Sequence, residues 1–124
     1  MAGHGDWYWH ELTTPDAEGG AAFYRDVLGW QTTPMPSMPG YLLFRQGDEM
    51  RGGVMKMEGP EWAGIAPHWM VYVRVDDVDA VAANVQSRGG SVPYGCFDVP
   101  GVGRIAVCKD PQGAVFSIMT PAVA

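Results

Sequence analysis

Residues 9–29 read WHELTTPDAEGGAAFYRDVLG and residues 70–90 read MVYVRVDDVDAVAANVQSRGG, and the two align at an offset of 61. Leu12 falls on Val73, Asp16 on Asp77, Ala22 on Ala83 and Gly29 on Gly90. Each copy is a short alternating run, an Asp placed to cap a helix, about three helical turns and a glycine stop. In the second helix Val78, Val81 and Val85 mark one face, and in the first Phe23 with Val27 and Tyr24 with Leu28 are i, i+4 pairs. Strand-like pieces follow each helix: WQTT, YLLFR (41–45) and GGVMKM (52–57), then SVPYG, RIAVCK (104–109) and AVFSIM (114–119). The segment Asp110-Pro111-Gln112-Gly113 has the composition of a type I turn and pins the last hairpin. The Gly/Pro-rich stretch EGPEWAGIAP (58–67) joins the copies. The chain therefore reads as an α+β domain over 1–124, with one βαβββ module at about 6–57 and another at about 68–120.

Composition narrows the partners. A chain of 124 residues with 47% apolar content buries enough surface to fold without disulfides or a structural metal. Its 8 basic residues are scattered from Arg25 to Lys109 against 14 acidic ones, so no basic stripe tracks phosphates and nucleic acid is not expected. The net charge of −6 weakly favours a cationic or neutral ligand. No apolar run approaches the roughly 18 residues of a membrane span, and MAGHGDW lacks the regions of a signal peptide. Cys96 and Cys108 lack CxxC spacing and read as reduced thiols, so a cytoplasmic setting is expected. Five Trp and eight Met are more large apolar groups than one small core conveniently hides.

Alternation sorts the strand residues into faces. Val71, Val73 and Val75 form one apolar face, which the helix must cover, and Met70, Tyr72 and Arg74 form the other. By the repeat, His10 and Leu12 belong with the helix-covered layer, whereas Trp9, Glu11 and Thr13 belong with Met70, Tyr72 and Arg74. His10 and Glu11 therefore point apart and cannot share one ion. In the last strand Ser117 falls on the polar face. Trp9, Glu11, Thr13, Met70, Tyr72, Arg74 and Ser117 are the expected ligand-binding residues, a mixed lining typical of small-molecule cavities; a subunit interface is the alternative. A carboxylate among such neighbours needs water or a partner, and Arg74 is the candidate partner of Glu11.

WHELTTPD followed by AAFYRDVLGW, and PHWMVYVRVDDVDAVAANVQSRGG followed by PGVGRIAVCKDPQGAVFSIM, resemble the vicinal oxygen chelate superfamily, the latter its glyoxalase-like subgroup. That superfamily includes glyoxalases, bleomycin- and fosfomycin-resistance proteins, extradiol dioxygenases and methylmalonyl-CoA epimerases. The resemblance implies two βαβββ modules whose mixed sheets curve around a cavity. It also implies metal ligands, in the metal-dependent members, at positions that here hold Trp9, Gly53, Met70 and Ser117. An indole, a glycine, a thioether and a hydroxyl are poor donors for a divalent ion, so no metal and no other cofactor is expected. The expected function is binding of a small organic molecule in a metal-free cavity, by a homodimer, as the resemblance implies. The alternative is a lyase, isomerase or dioxygenase-type enzyme. It would use Glu11 as base with Tyr72 or Arg74 stabilising charge, or Glu11 with His4 or His68 as unorthodox metal ligands.

Overall fold

The computed structural model describes residues 3–122. Its elements run β1 (Trp7–Thr14), α1 (Ala17–Leu28), β2 (Gln31–Pro34), β3 (Leu42–Gln46), β4 (Glu49–Lys56), a 3-10 turn (Pro60–Trp62), β5 (His68–Arg74), α2 (Val78–Ser87), β6 (Ser91–Val99), β7 (Gly103–Lys109) and β8 (Val115–Pro121). This is an α+β fold made of βαβββ twice over. No helix among the described residues is long and apolar enough to cross a membrane.

The chain divides into two compact units. The first holds Trp9–Met70; the second holds the residues up to Tyr8 together with those from Val71 onward. The boundary thus cuts through β1 and β5, and the N-terminal segment joins the second unit. Two backbone bonds tie it there: Gly5 N–H donates to the Arg74 carbonyl at 2.7 Å and Arg74 N–H donates to that of Asp6 at 2.9 Å.

In the first unit the strand order is β2-β3-β4-β1, with β1 parallel to β4 and the other pairs antiparallel. Asp16 caps α1, its Oδ1 accepting from Gly19 N–H at 2.9 Å, and Gly29 ends the helix in the left-handed region at φ 77°. Leu12, Val54 and Leu42 stand opposite one another on three adjacent strands. They pack with Phe44 and with Ala17 and Ala21 of α1. A Cβ at Gly20 would lie 3.0 Å from Leu12 Cδ2, so the small residues of EGGAA let the helix settle onto the sheet. Phe44 is fully buried, and removing its ring would cost about 3–5 kcal/mol. The Phe23–Val27 pair and Leu28 do not serve this core. All three are exposed, and the helix packs through Ala17, Ala21 and Tyr24 instead.

In the second unit the order is β5-β8-β7-β6, with β5 parallel to β8. Asp77 caps α2 by accepting from Ala80 N–H at 3.1 Å. Val78 and Ala82 are buried against Val75, Ala106, Cys108 and Ile118, with Val81 and Val85 partly buried beside them. The residue that takes positive φ after α2 is Gly89 (91°), one before the position the repeat marks. Gly90 N–H instead donates to the Val85 carbonyl at 2.9 Å. Asp110 closes the β7–β8 turn, its Oδ1 accepting from Gln112 N–H at 2.9 Å and Ala114 N–H at 3.0 Å.

Candidate functional site

Two sheet faces, one in each unit, carry the residues that the sequence singles out. In the first unit the pairing register sets Glu11 against Gly53, and Gly53 against Leu43. That row lies on the face away from α1, because the next row, Leu12, Val54 and Leu42, is the one packed against the helix. Glu11 is 7% exposed and Thr13 2%, so both polar groups are taken out of water. His10, between Glu11 and Trp9, is exposed.

Glu11 has a partner that the sequence reading missed. The Tyr41 hydroxyl donates to Glu11 Oε2 at 2.7 Å, and Tyr41 Oη itself accepts from Trp9 Nε1–H at 3.1 Å. The result is a directed chain from indole to phenol to carboxylate. Tyr41, 9% exposed, lies immediately before β3. Alternation puts Tyr41 with Leu43, and hence with Glu11, so extending the face analysis to YLLFR would have exposed it. Gly53 makes room: a Cβ there would stand 1.9 Å from Tyr41 Oη.

This geometry bears on the metal that the resemblance implies. Trp9 presents an N–H donor, already directed at Tyr41, rather than a lone pair. The space of a side chain at 53 is filled by the Tyr41 phenol. Met70 offers a thioether and Ser117 a neutral hydroxyl. These residues do not fit a divalent ion. The two histidines that could have served as alternative ligands are engaged locally. His4 Nδ1 accepts from Asp76 N–H at 3.0 Å, and His68 Nδ1 lies 2.8 Å from the Ala66 carbonyl.

On the way into β5, Trp69 turns into an aromatic cluster with Tyr24, Trp30 and Phe44, donating from Nε1 to Tyr24 Oη at 3.0 Å. Met70, next along the strand, therefore belongs to the opposite face. In the second unit Tyr72 pairs with Ser117, and Ser117 with Val107; Arg74 pairs with Met119, and Met119 with Ile105. Both rows lie away from α2, since Ile118 between them packs against it. Ser117 is fully buried, Met119 is 4% exposed and Ile105 7%. Ser117 Oγ and Arg74 Nε are buried with no hydrogen-bond partner among the described residues.

A separate groove of about 470 Å³ opens at one end of the second unit, lined by Asp76, Asp77, Asp79, Asp98 and Arg104 among others. None of the predicted site residues lines it. Its charges are already committed. Arg104 grips Asp79 through Nε and Nη2 at 2.8 and 3.0 Å and reaches Asp98 at 3.1 Å. Hydrogen bonds from Arg104, then from Cys96, hold the Asp79 carboxyl below the usual carboxylate range. Hydrogen bonds to Asp79 and then to Asp98 in turn hold the proton on Arg104 more tightly. Burial pushes the Cys108 thiol up, and burial followed by contact with Asp79 does the same to Cys96.

Comparison with known proteins agrees with this fold. A family profile described as a glyoxalase-like domain matches residues 9–119. CFP32 of Mycobacterium tuberculosis, which bears a glyoxylase name, is 42% identical over 116 residues, covering 92% of this chain and 43% of that protein. The anthracycline biosynthesis protein DnrV of Streptomyces peucetius is 32% identical over 123 residues, covering 89% of this chain and 45% of its own length. The chain thus spans less than half the length of these curated relatives. Methylmalonyl-CoA epimerase from M. tuberculosis superposes with a TM-score of 0.68 at 16% identity, covering 99% of this chain and 93% of that one, a likeness of fold. With its profile match running from β1 into β8, the chain belongs to the glyoxalase-like domain family, within the vicinal oxygen chelate superfamily.

Proposed function

We propose that this protein binds a small organic molecule without a metal ion, and that the Trp9–Tyr41–Glu11 chain anchors it. The observation that carries this reading is the buried Glu11 carboxylate held by the Tyr41 hydroxyl at 2.7 Å, with Trp9 Nε1–H donating in turn to Tyr41 Oη. Taking a carboxylate out of water is costly, and a sheet face built for stability alone would carry an apolar residue there. Fixing the indole N–H also fixes the plane of the Trp9 ring, so a flat ligand would meet a preorganised wall without ordering a free side chain. Thr13 and Met70 are proposed as further ligand contacts in the first unit, and Tyr72, Arg74 and Ser117 as ligand contacts on the sheet face of the second. A cytoplasmic homodimer remains the proposed setting.

The test is the protein purified without added ligand. Native mass spectrometry of wild type should detect a co-purifying small molecule, or added ligand candidates should bind, and Trp9→Ala and Glu11→Gln should each weaken binding while the far-UV spectrum is unchanged. Elemental analysis should find no stoichiometric Zn, Ni, Mn or Fe. Near one equivalent of metal per chain, lost on Glu11→Ala, would refute the metal-free reading.

A second reading has the same observation behind it. A carboxylate with one oxygen fixed by a phenol is also the arrangement of a general base, and in that case Glu11 would take a proton from a carbon next to a carbonyl. Solvent deuterium appearing in a bound candidate, and absent with Glu11→Gln, would select enzyme over binding protein.

A further inference from the structure

Helix α1 leaves Phe23, Val27 and Leu28 each more than half exposed. Phe23 and Val27 lie one turn apart on one ridge, and the rings beside them extend the surface. The Phe23 ring meets Tyr24 edge-on at 5.1 Å, Tyr24 meets Trp69 at 5.1 Å, and Trp69 stands 6.3 Å from Trp30. Trp69 is itself 37% exposed, so the patch runs from the helix onto the start of β5, within the first unit. The Trp69 Nε1–H is already given to Tyr24 Oη at 3.0 Å, so covering the indole loses no hydrogen bond.

None of these side chains carries a charge. Arg25 and Asp26, which come between Phe23 and Val27 in sequence, fall off their ridge and lie 3.7 Å from each other. A chain of net charge −6 repels its own copy, and on this patch that repulsion has no local source. A partner recognised by its charge would find nothing there to pair with. The curated relatives point to cover of a particular size. The aligned stretch is 43% of one and 45% of the other, so each has room for one further domain as large as this one. A second copy of this chain supplies a domain of that size.

We infer that this patch is where two copies of the chain meet, α1 against α1 about a two-fold axis. The inference rests on the homodimer proposed above and names its surface. A two-fold contact uses the same patch on both partners, so each apolar group it covers counts twice. The exposed parts of Phe23, Val27, Leu28 and Trp69 amount to roughly 300 Å² per chain. Doubled, and with a polar rim of about one-third added, the contact reaches on the order of 1,000 Å², the size at which specific interfaces begin.

The experiment is sedimentation equilibrium of the full chain at micromolar concentration, with a far-UV spectrum of every variant. Wild type should be a dimer. Phe23→Glu and Val27→Lys should each weaken the dimer by about a hundredfold or more and sediment as monomers. Their spectra should be unchanged, because neither residue serves the core, and Val27→Lys decides should Phe23→Glu disturb the fold. Phe23→Leu keeps an apolar group in place and should remain a dimer. So should Tyr94→Glu, whose exposed ring lies on β6 in the second unit. If Phe23→Glu and Val27→Lys both stay dimeric, or Tyr94→Glu alone dissociates the protein, this surface is wrong while the homodimer stands. If wild type is monomeric, the homodimer and this inference fall together, and small-molecule binding is untouched.

Discussion

Replacing Gly53 by alanine adds one methyl group at the place where the Tyr41 phenol lies. The added Cβ would stand 1.9 Å from Oη, 2.4 Å from Cζ and 2.5 Å from Cε1. Ordinary contact needs about 3.4 Å or more, so the ring must withdraw by roughly 1.5 Å. The bond to Glu11 is 2.7 Å and that from Trp9 is 3.1 Å, and a retreat of that size takes both out of range. Losing a hydrogen bond to a charged group costs about 1.5–3 kcal/mol and a neutral one about 1. Alanine returns about 0.4–1 kcal/mol by restricting the unfolded chain. Gly53 is not among the positive-φ glycines, so the backbone adds no strain. The net expectation is a loss of roughly 2.5 kcal/mol. At about 2.1 cal/mol/K per residue the unfolding entropy of this chain is roughly 0.26 kcal/mol/K, which makes the loss about 10 °C in Tm.

The assay is thermal and urea unfolding of Gly53→Ala, Tyr41→Ala and the double variant. With the phenol gone, the Gly53→Ala change should become neutral or slightly favourable, giving a coupling of roughly 3 kcal/mol in the cycle. Gly95→Ala serves as the control, because nothing lies within 4 Å of a Cβ there. A Gly53→Ala loss below about 0.5 kcal/mol, or one equally large without the phenol, would show that the reasoning about Tyr41 is wrong.

The lowered Asp79 pKa predicts an acid-side effect. Its contribution is present above the unfolded value near 3.8 and lost as pH falls toward the folded one, so the stability gap between wild type and Asp79→Asn should be full at pH 6 and close below pH 4; a gap independent of pH would contradict it. Cys108, fully buried with its thiol pushed up, should resist Ellman's reagent at pH 8 until the chain is unfolded, and rapid labelling of the native protein would count against the packing described. Light scattering at micromolar concentration should give the mass of a homodimer, in keeping with the exposure of Trp7, Phe23, Val27 and Leu28, and a monomeric mass would remove that expectation.

What the sequence discloses about this fold is what local chemistry encodes. Asp16 and Asp77 announce their helices because a capping carboxylate reaches only three residues ahead. Asp110 announces its turn for the same reason. The face assignment of Leu12 follows from a period of two, which any strand obeys. The exposed Phe23–Val27 pair shows where such reasoning stops, since an apolar pair at helical spacing does not say which side of the helix meets the sheet. Here the small Ala17 and Ala21 claimed that side, where close approach is possible.

Tyr41 lies further beyond that reach. Its bond to Glu11 joins residues 30 apart, and it depends on the absence of a side chain at Gly53, which no propensity or motif records. Yet the two absences are one. Had position 53 kept a metal-ligating side chain, that side chain and the phenol would contend for the same space. The glycine that removes a ligand is the glycine that admits Tyr41, and with it the indole N–H of Trp9 acquires an acceptor. Restoring a ligand at 53 alone would therefore leave a buried clash rather than a metal site. A metal-binding version of this face would need Trp9, Tyr41 and Gly53 changed together, because Trp9 donates to Tyr41 and Tyr41 fills the space that Gly53 leaves open.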